Sequence, residues 1–197
     1  MATHGGLRPY SSISGFSSHV TREFAIASGT SSDLFQGDIV KLVNDGTVVA
    51  MSAAGDTPVV GVFVGCSYTN SEGTPVYSNK YTDTITAEDI VANVIVDPFQ
   101  LYSVQIANSD ADTTLTRTAI GLNYDVEFNA GDSTSGLSGM VLDSGVTGIT
   151  GAANLRCVGL TNDDGTGDNV GDGSTTYSKA IVMIDPQISF WLAGPGL

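Results

Sequence analysis

The folding choices of this chain are narrowed most by short β-branched runs that recur between tight-turn residues. Asp38-Ile39-Val40-Lys41-Leu42-Val43 leads into Asn44-Asp45-Gly46 and returns as Thr47-Val48-Val49-Ala50-Met51. Asp-Gly between two such runs supplies the positive backbone angles of a tight hairpin. Ala53-Ala54-Gly55-Asp56 reads as a second turn and Pro58–Gly65 as a third strand, with Gly61 and Gly65 marking bulges or close backbone approach. Residues 67–84, polar and aromatic, form a long hairpin or a surface loop. Strands are predicted at Val94–Val96 and Leu101–Ile106, broken by Asp97-Pro98, then at Tyr124–Phe128, Met140–Leu142, Leu155–Leu160 and Lys179–Ile184, with a last apolar piece at Ile188–Leu192. Thr86–Asn93 alone reads as a helix, with Thr86 as N-cap and Glu88 and Asp89 in its first turn. The expectation is a mainly β chain: a compact β-barrel or β-sandwich with at most one short helix.

A weak internal echo accompanies this pattern. Val64-Gly65-Cys66 followed by Thr69–Thr74 resembles Val158-Gly159-Leu160 followed by Thr161–Thr166. It reads either as two equivalent strand-to-loop corners or as coincidence in a chain rich in Gly, Thr and Asn.

The two ends differ in charge. Residues 1–22 hold Arg8, Arg22, His4 and His19 and no acid, whereas the rest carries five basic residues against all 21 acids, so that 5 − 21 = −16 follows an arm of +2. Leu7, Tyr10, Ile13, Phe16 and Val20 are spaced for one helix face, but the intervening glycines, serines and threonines oppose a helix. Such a stretch buries too little apolar surface to fold alone. It is expected to be an extended strap that orders on a partner surface, giving an N-terminal arm over 1–26 and a single β-rich body over 27–197.

Composition narrows the function. A net charge of −14 with only seven basic residues leaves no groove for nucleic acid. No run approaches the ~18 apolar residues of a membrane span, and no apolar leader segment is visible. Cys66 and Cys157, without a leader, are expected as reduced core thiols rather than a disulfide.

Catalytic equipment is sparse. Both histidines sit in the arm, no Gly-x-Ser-x-Gly elbow occurs, and neither a phosphate loop nor a dinucleotide fingerprint is present. Cys and His are too scattered for zinc. Asn162–Asn169 with Asp172 offers oxygen ligands for calcium on a Gly-rich loop but lacks the EF-hand spacing, so a solvated acidic loop is the simpler reading. The expectation is a protein without catalytic, cofactor or metal residues. Trp191, with Ile188, Phe190 and Leu192, makes an apolar segment expected either to cap the core or to meet a subunit.

Several blocks taken together resemble capsid decoration, or cement, proteins of tailed bacteriophages. They are Phe35–Val40, Val60–Phe63, Asp97-Pro98-Phe99 leading to Val104-Gln105, Gly121-Leu122-Asn123, Thr134–Gly139 with Leu142-Asp143, and Leu155–Leu160. They follow in order over about residues 35–185. The resemblance implies a non-enzymatic virion protein on the capsid exterior, made in the host cytoplasm. Its partners would be the major capsid protein and itself as a homotrimer, with no nucleic acid or membrane. The family supplies no contact residues. From the residues themselves, Arg8 and Arg22 are expected as carboxylate or carbonyl partners, Tyr10 and Phe16 as anchors, and Phe190 and Trp191 as a subunit contact. The alternatives are another virion component (head fibre, tail or shell protein) or an extracellular glycan- or calcium-binding β module.

Overall fold

The computed structural model describes residues 5–14, 19–53, 56, 58–108, 111–147, 154–162 and 176–192. Its strands are β1 (Arg8–Ser12), β2 (Thr21–Ala25), β3 (Leu34–Phe35), β4 (Ile39–Leu42), β5 (Val48–Ala50), β6 (Val59–Thr69), β7 (Pro75–Ser78) and β8 (Lys80–Tyr81). They continue as β9 (Val91–Ile95), β10 (Gln100–Asn108), β11 (Ala111–Asp112), β12 (Asn123–Glu127), β13 (Val141–Thr147), β14 (Leu155–Thr161) and β15 (Lys179–Ile184). One 3₁₀ turn, Arg117–Ala119, is the only helical element among the described residues.

The fold is mainly β, and it is a barrel with additional sheets. β10, β13, β12, β14 and β15 pair in a ring that closes because β10 also pairs with β15. β10 meets β13 in parallel through Ile106 and Ala107, and the remaining ring pairs are antiparallel. Beside the barrel lies a second sheet in the order β2-β9-β6-β4-β5, with β7 hydrogen-bonded to β6, and a small β3–β8 pair.

Alternation along each strand, reset in β6 by register shifts between Val59 and Gly61 and between Phe63 and Gly65, places opposite faces of that second sheet in different cores. Ile39, Val59, Val62 and Ile95 join Tyr102, Tyr124, Leu142 and Val182 in the barrel core. Val40, Val60, Phe63, Cys66, Ala92 and Val94 join Leu34, Tyr81 and Ile90 in the other. A sheet covered on both faces calls for near-continuous apolar strands, which explains Val59-Val60-Gly61-Val62-Phe63-Val64. Gly61 sits where this sheet is tightest: a Cβ there would lie on the Ile95 carbonyl.

The β4–β5 hairpin forms as its sequence indicates, with Asp45 accepting the Thr47 amide at 2.9 Å. The polar stretch after β6 is a hairpin into β7, registered Cys66↔Ser78 to Thr69↔Pro75. The helix expected over Thr86–Asn93 does not form. Val91–Ile95 is instead β9, held between β2 and β6, and the Asp89 carboxylate accepts the Thr69 amide and hydroxyl rather than starting a helix. The internal echo has a structural counterpart. The register shifts just before Gly65 in β6 and before Gly159 in β14, and the carboxamide oxygens of Asn70 and Asn162 accept the amides of Thr74 and Ser178. Both cysteines are buried, Cys157 in the barrel core and Cys66 in the other.

The N-terminal stretch contributes an edge strand to each large sheet. β1 runs along β10 from Arg8↔Ser103 to Ser12↔Gln100, and β2 along β9 from Thr21↔Ile95 to Ala25↔Val91. Leu7, expected to reach a neighbour, lies in this chain's own barrel core. Backbone bonds fasten the entry: Gly5 N–H donates to Ser138 O at 2.9 Å and Leu7 N–H to Gly37 O at 3.0 Å. Directly behind this junction is Asp38, 4% exposed, whose carboxylate accepts the Phe35 amide at 2.8 Å and the Ser138 hydroxyl.

Candidate interaction surface

β1 and β2 each end the hydrogen-bonding path of their sheet, so each offers one backbone edge that pairs with nothing among the described residues. Unpaired edges invite added strands unless they are blunted. Pro9 blunts β1 at one place, because it lacks an N–H. The register of β1 shifts between Pro9 and Ser11, and Tyr10 at that bulge is 57% exposed. Ile13, equally exposed, donates its amide to Phe99 O at 3.1 Å, so two outward apolar side chains stand beside one another at the end of β1. Val20, also exposed, accepts the Val96 amide at the start of β2.

Arg22 is opposite Val94 on β2, on the face that turns away from the barrel. Its guanidinium carbon lies 5.6 Å from the centre of the Trp191 ring, a cation–aromatic contact. Trp191 is itself fixed from beneath by donating Nε1–H to Val60 O at 2.7 Å. Phe190 meets it edge-on, with ring centres 5.0 Å apart at 86°. Ser189 bridges to Val59 of β6, and the Phe190 amide donates to Val59 O at 2.8 Å. The apolar segment after β15 therefore places Ile188 in the barrel core and Trp191 against the second core, and still shows Phe190 and Leu192 to solvent.

The structure brings Arg22, Phe190 and Trp191 into one cluster, whereas Arg8 and Tyr10 lie on β1 in the other sheet. Phe16 and the acidic loop at 163–175 lie outside the described residues. Among the described residues no group of three or more His, Cys, Asp or Glu is placed to hold a metal ion, and no helix is long and apolar enough to cross a membrane. Three features went unread in the sequence. Phe99 is presented by the Asp97-Pro98 turn, Tyr77 is 83% exposed on β7, and the His19 ring is tied to Gln100. Only Phe99 left a trace, in the turn-forming Asp-Pro that precedes it.

Because Trp191 is the sole tryptophan, its fluorescence reads this cluster alone. Arg22→Ala is expected to shift the emission to the red while costing less than about 1 kcal/mol of stability, the range of an exposed cation–aromatic pair. Unchanged emission would mean that the guanidinium does not cover the ring. Compared with models of known protein families, with curated proteins and with solved structures, the chain matches none.

Proposed function

We propose that this chain is a non-enzymatic capsid decoration protein of a tailed bacteriophage, binding the shell exterior as a trimer and bracing it against internal DNA pressure. The observation that carries the reading is the pair of consecutive N-terminal edge strands, open on their outer sides among the described residues and flanked by exposed Tyr10, Ile13, Val20 and Phe99. Strand addition to a shell edge draws affinity from main-chain bonds and little from sequence. Outward aromatic and aliphatic groups beside the edge provide the anchors, and three linked copies raise the effective concentration of each contact. The acidic body, formally −16 after residue 22, keeps the outer surface soluble.

Co-sedimentation with DNA-free expanded capsids tests this. Removing residues 1–26 would take away β1, β2 and Leu7 together, so exposed point changes are the better probe. Wild-type protein is expected to pellet with capsids. The Tyr10→Ser/Ile13→Asp double variant, with unaltered circular dichroism, is expected to bind at least tenfold more weakly. Wild-type protein left in the supernatant would end the reading.

One observation favours a glycan-binding module as the second reading. Tyr77 rims an open cleft of about 510 Å³ whose other lining residues include Thr21, Ser78, Asn79 and Asn93, with no charged side chain among the described residues. An exposed aromatic platform with amides and hydroxyls suits a neutral sugar. Binding of neutral oligosaccharides that is lost in Tyr77→Ala would move the assignment there.

A further inference from the structure

At the seam between the N-terminal stretch and the body lies a second cavity, of about 390 Å³. Its floor is apolar, from Val64, Ile95 and Leu137, and its polar wall includes Arg8, His19 and Gln36. No Asp or Glu lines it among the described residues, in a chain that holds 21 acids.

The two basic groups are held in place by different means. Gln100 is only 1% exposed, and its Nε2 donates to both Ser11 O at 2.7 Å and Leu101 O at 2.8 Å. Those bonds fix which end of the carboxamide is oxygen. Oε1 therefore faces His19 Nδ1 at 2.9 Å, and Nδ1 is the donor. Nε2, an acceptor in this tautomer, is the one polar atom of the ring that the arrangement leaves for a ligand. The Arg8 guanidinium lies over Gly5, whose φ is +82° and whose missing side chain makes the space; a Cβ there would collide with the guanidinium. Arg8 has no hydrogen bond or ion pair among the described residues. The other basic side chains include Lys41 on Asp56, Arg156 on Asp185 and Arg22 on Trp191.

An apolar floor with a few convergent polar groups is the make-up of a small-ligand site. Here those groups are a guanidinium suited to bidentate carboxylate binding and an anchored imidazole. We propose that this pocket binds a carboxylate carried on a short apolar body. A free aliphatic acid and the end of a peptide chain share that chemistry, and the pocket receives the anionic group at Arg8, beside the His19 ring, while the apolar part covers Val64, Ile95 and Leu137. This site does not depend on the capsid reading and stands or falls separately.

The test is an amide NMR titration of the full chain with hexanoate, with N-acetyl-leucine and with uncharged N-acetyl-leucinamide. Shifts centred on Arg8, His19, Val64 and Leu137 are expected for at least one acid, at millimolar affinity or tighter, with the amide at least tenfold weaker. Hexanoate alone would identify a free acid, and N-acetyl-leucine alone a chain end; either supports the site. Arg8→Gln, on an exposed side chain, and Gly5→Ala, which displaces the guanidinium, are each expected to weaken the acid about tenfold while signals far from the pocket stay unmoved. His19→Gln provides an independent check on the imidazole. Equal binding of acid and amide, no binding of either acid at about 10 mM, or full affinity in Arg8→Gln would overturn the proposal.

Discussion

Gly61→Ala is expected to cost more than about 3 kcal/mol and to leave most of the protein insoluble. The usual expectation has the opposite sign, since Gly→Ala at a compatible site gains roughly 0.4–1 kcal/mol by restricting the unfolded chain. At this position the new methyl would sit on the Ile95 carbonyl, with Val94 Cγ1 only 3.0 Å away. Relief requires β9 to move away from β6, but β9 is itself fastened to β2 and both faces of the sheet are packed. Breaking Val62↔Ile95 and Phe63↔Val94 loosens two cores at once. Solubility and thermal denaturation of the variant decide the matter. A midpoint equal to or above that of wild type would mean that β6 and β9 are not this close.

The second large effect is a dependence on acidity centred on Asp38. Burial pushes its carboxyl up from 3.8 to about 6, against the Ser138 hydroxyl and Phe35 amide bonds that favour the charged form. The folded protein therefore binds this proton more tightly than the unfolded chain does. The associated stability is fully present below about pH 4 and is lost as pH rises through about 6, amounting to about 3 kcal/mol by pH 7. Asp38→Asn keeps an oxygen for the Phe35 amide and carries no charge. The stability difference, variant minus wild type, is expected to grow by about 3 kcal/mol between pH 4 and pH 7.5, read from denaturant unfolding at each pH. A difference that stays constant across the series would show that Asp38 titrates normally. Ser138, whose hydroxyl bonds this carboxylate, also accepts the Gly5 amide on its carbonyl, so the titrating group lies beside the junction that fastens the N-terminal stretch.

What could be read from the sequence followed the reach of each interaction. The β4–β5 hairpin was legible because its determinants are adjacent: Asp45 braces Thr47 within one turn. β6 was legible from its apolar run, and close approach at Gly61 from the glycine itself. β9 was misread because Glu88 and Asp89 look like the acidic first turn of a helix, while the group that claims Asp89 is Thr69, on another strand. Barrel could not be separated from sandwich, since closure rests on the short parallel contact of β10 with β13. The interaction surface was half legible. Arg22, Phe190 and Trp191 stood out by type, but their meeting depends on Ser189 bridging to Val59. His19 gave no local sign of its tie to Gln100, and Leu7, alone between glycine and arginine, none of its place in the core.

The pairing of the earliest strands with much later ones bears on how the molecule is assembled in time. Arg8 waits for Ser103 and Thr21 for Ile95, and β10 must still find both β13 and β15. Contacts so remote along the chain slow folding toward the millisecond-to-second regime, because loop closure is paid for before any contact rewards it. During synthesis the first two strands emerge long before either partner exists. They spend that interval as unsatisfied edges, open to capture by any neighbouring chain that offers a strand.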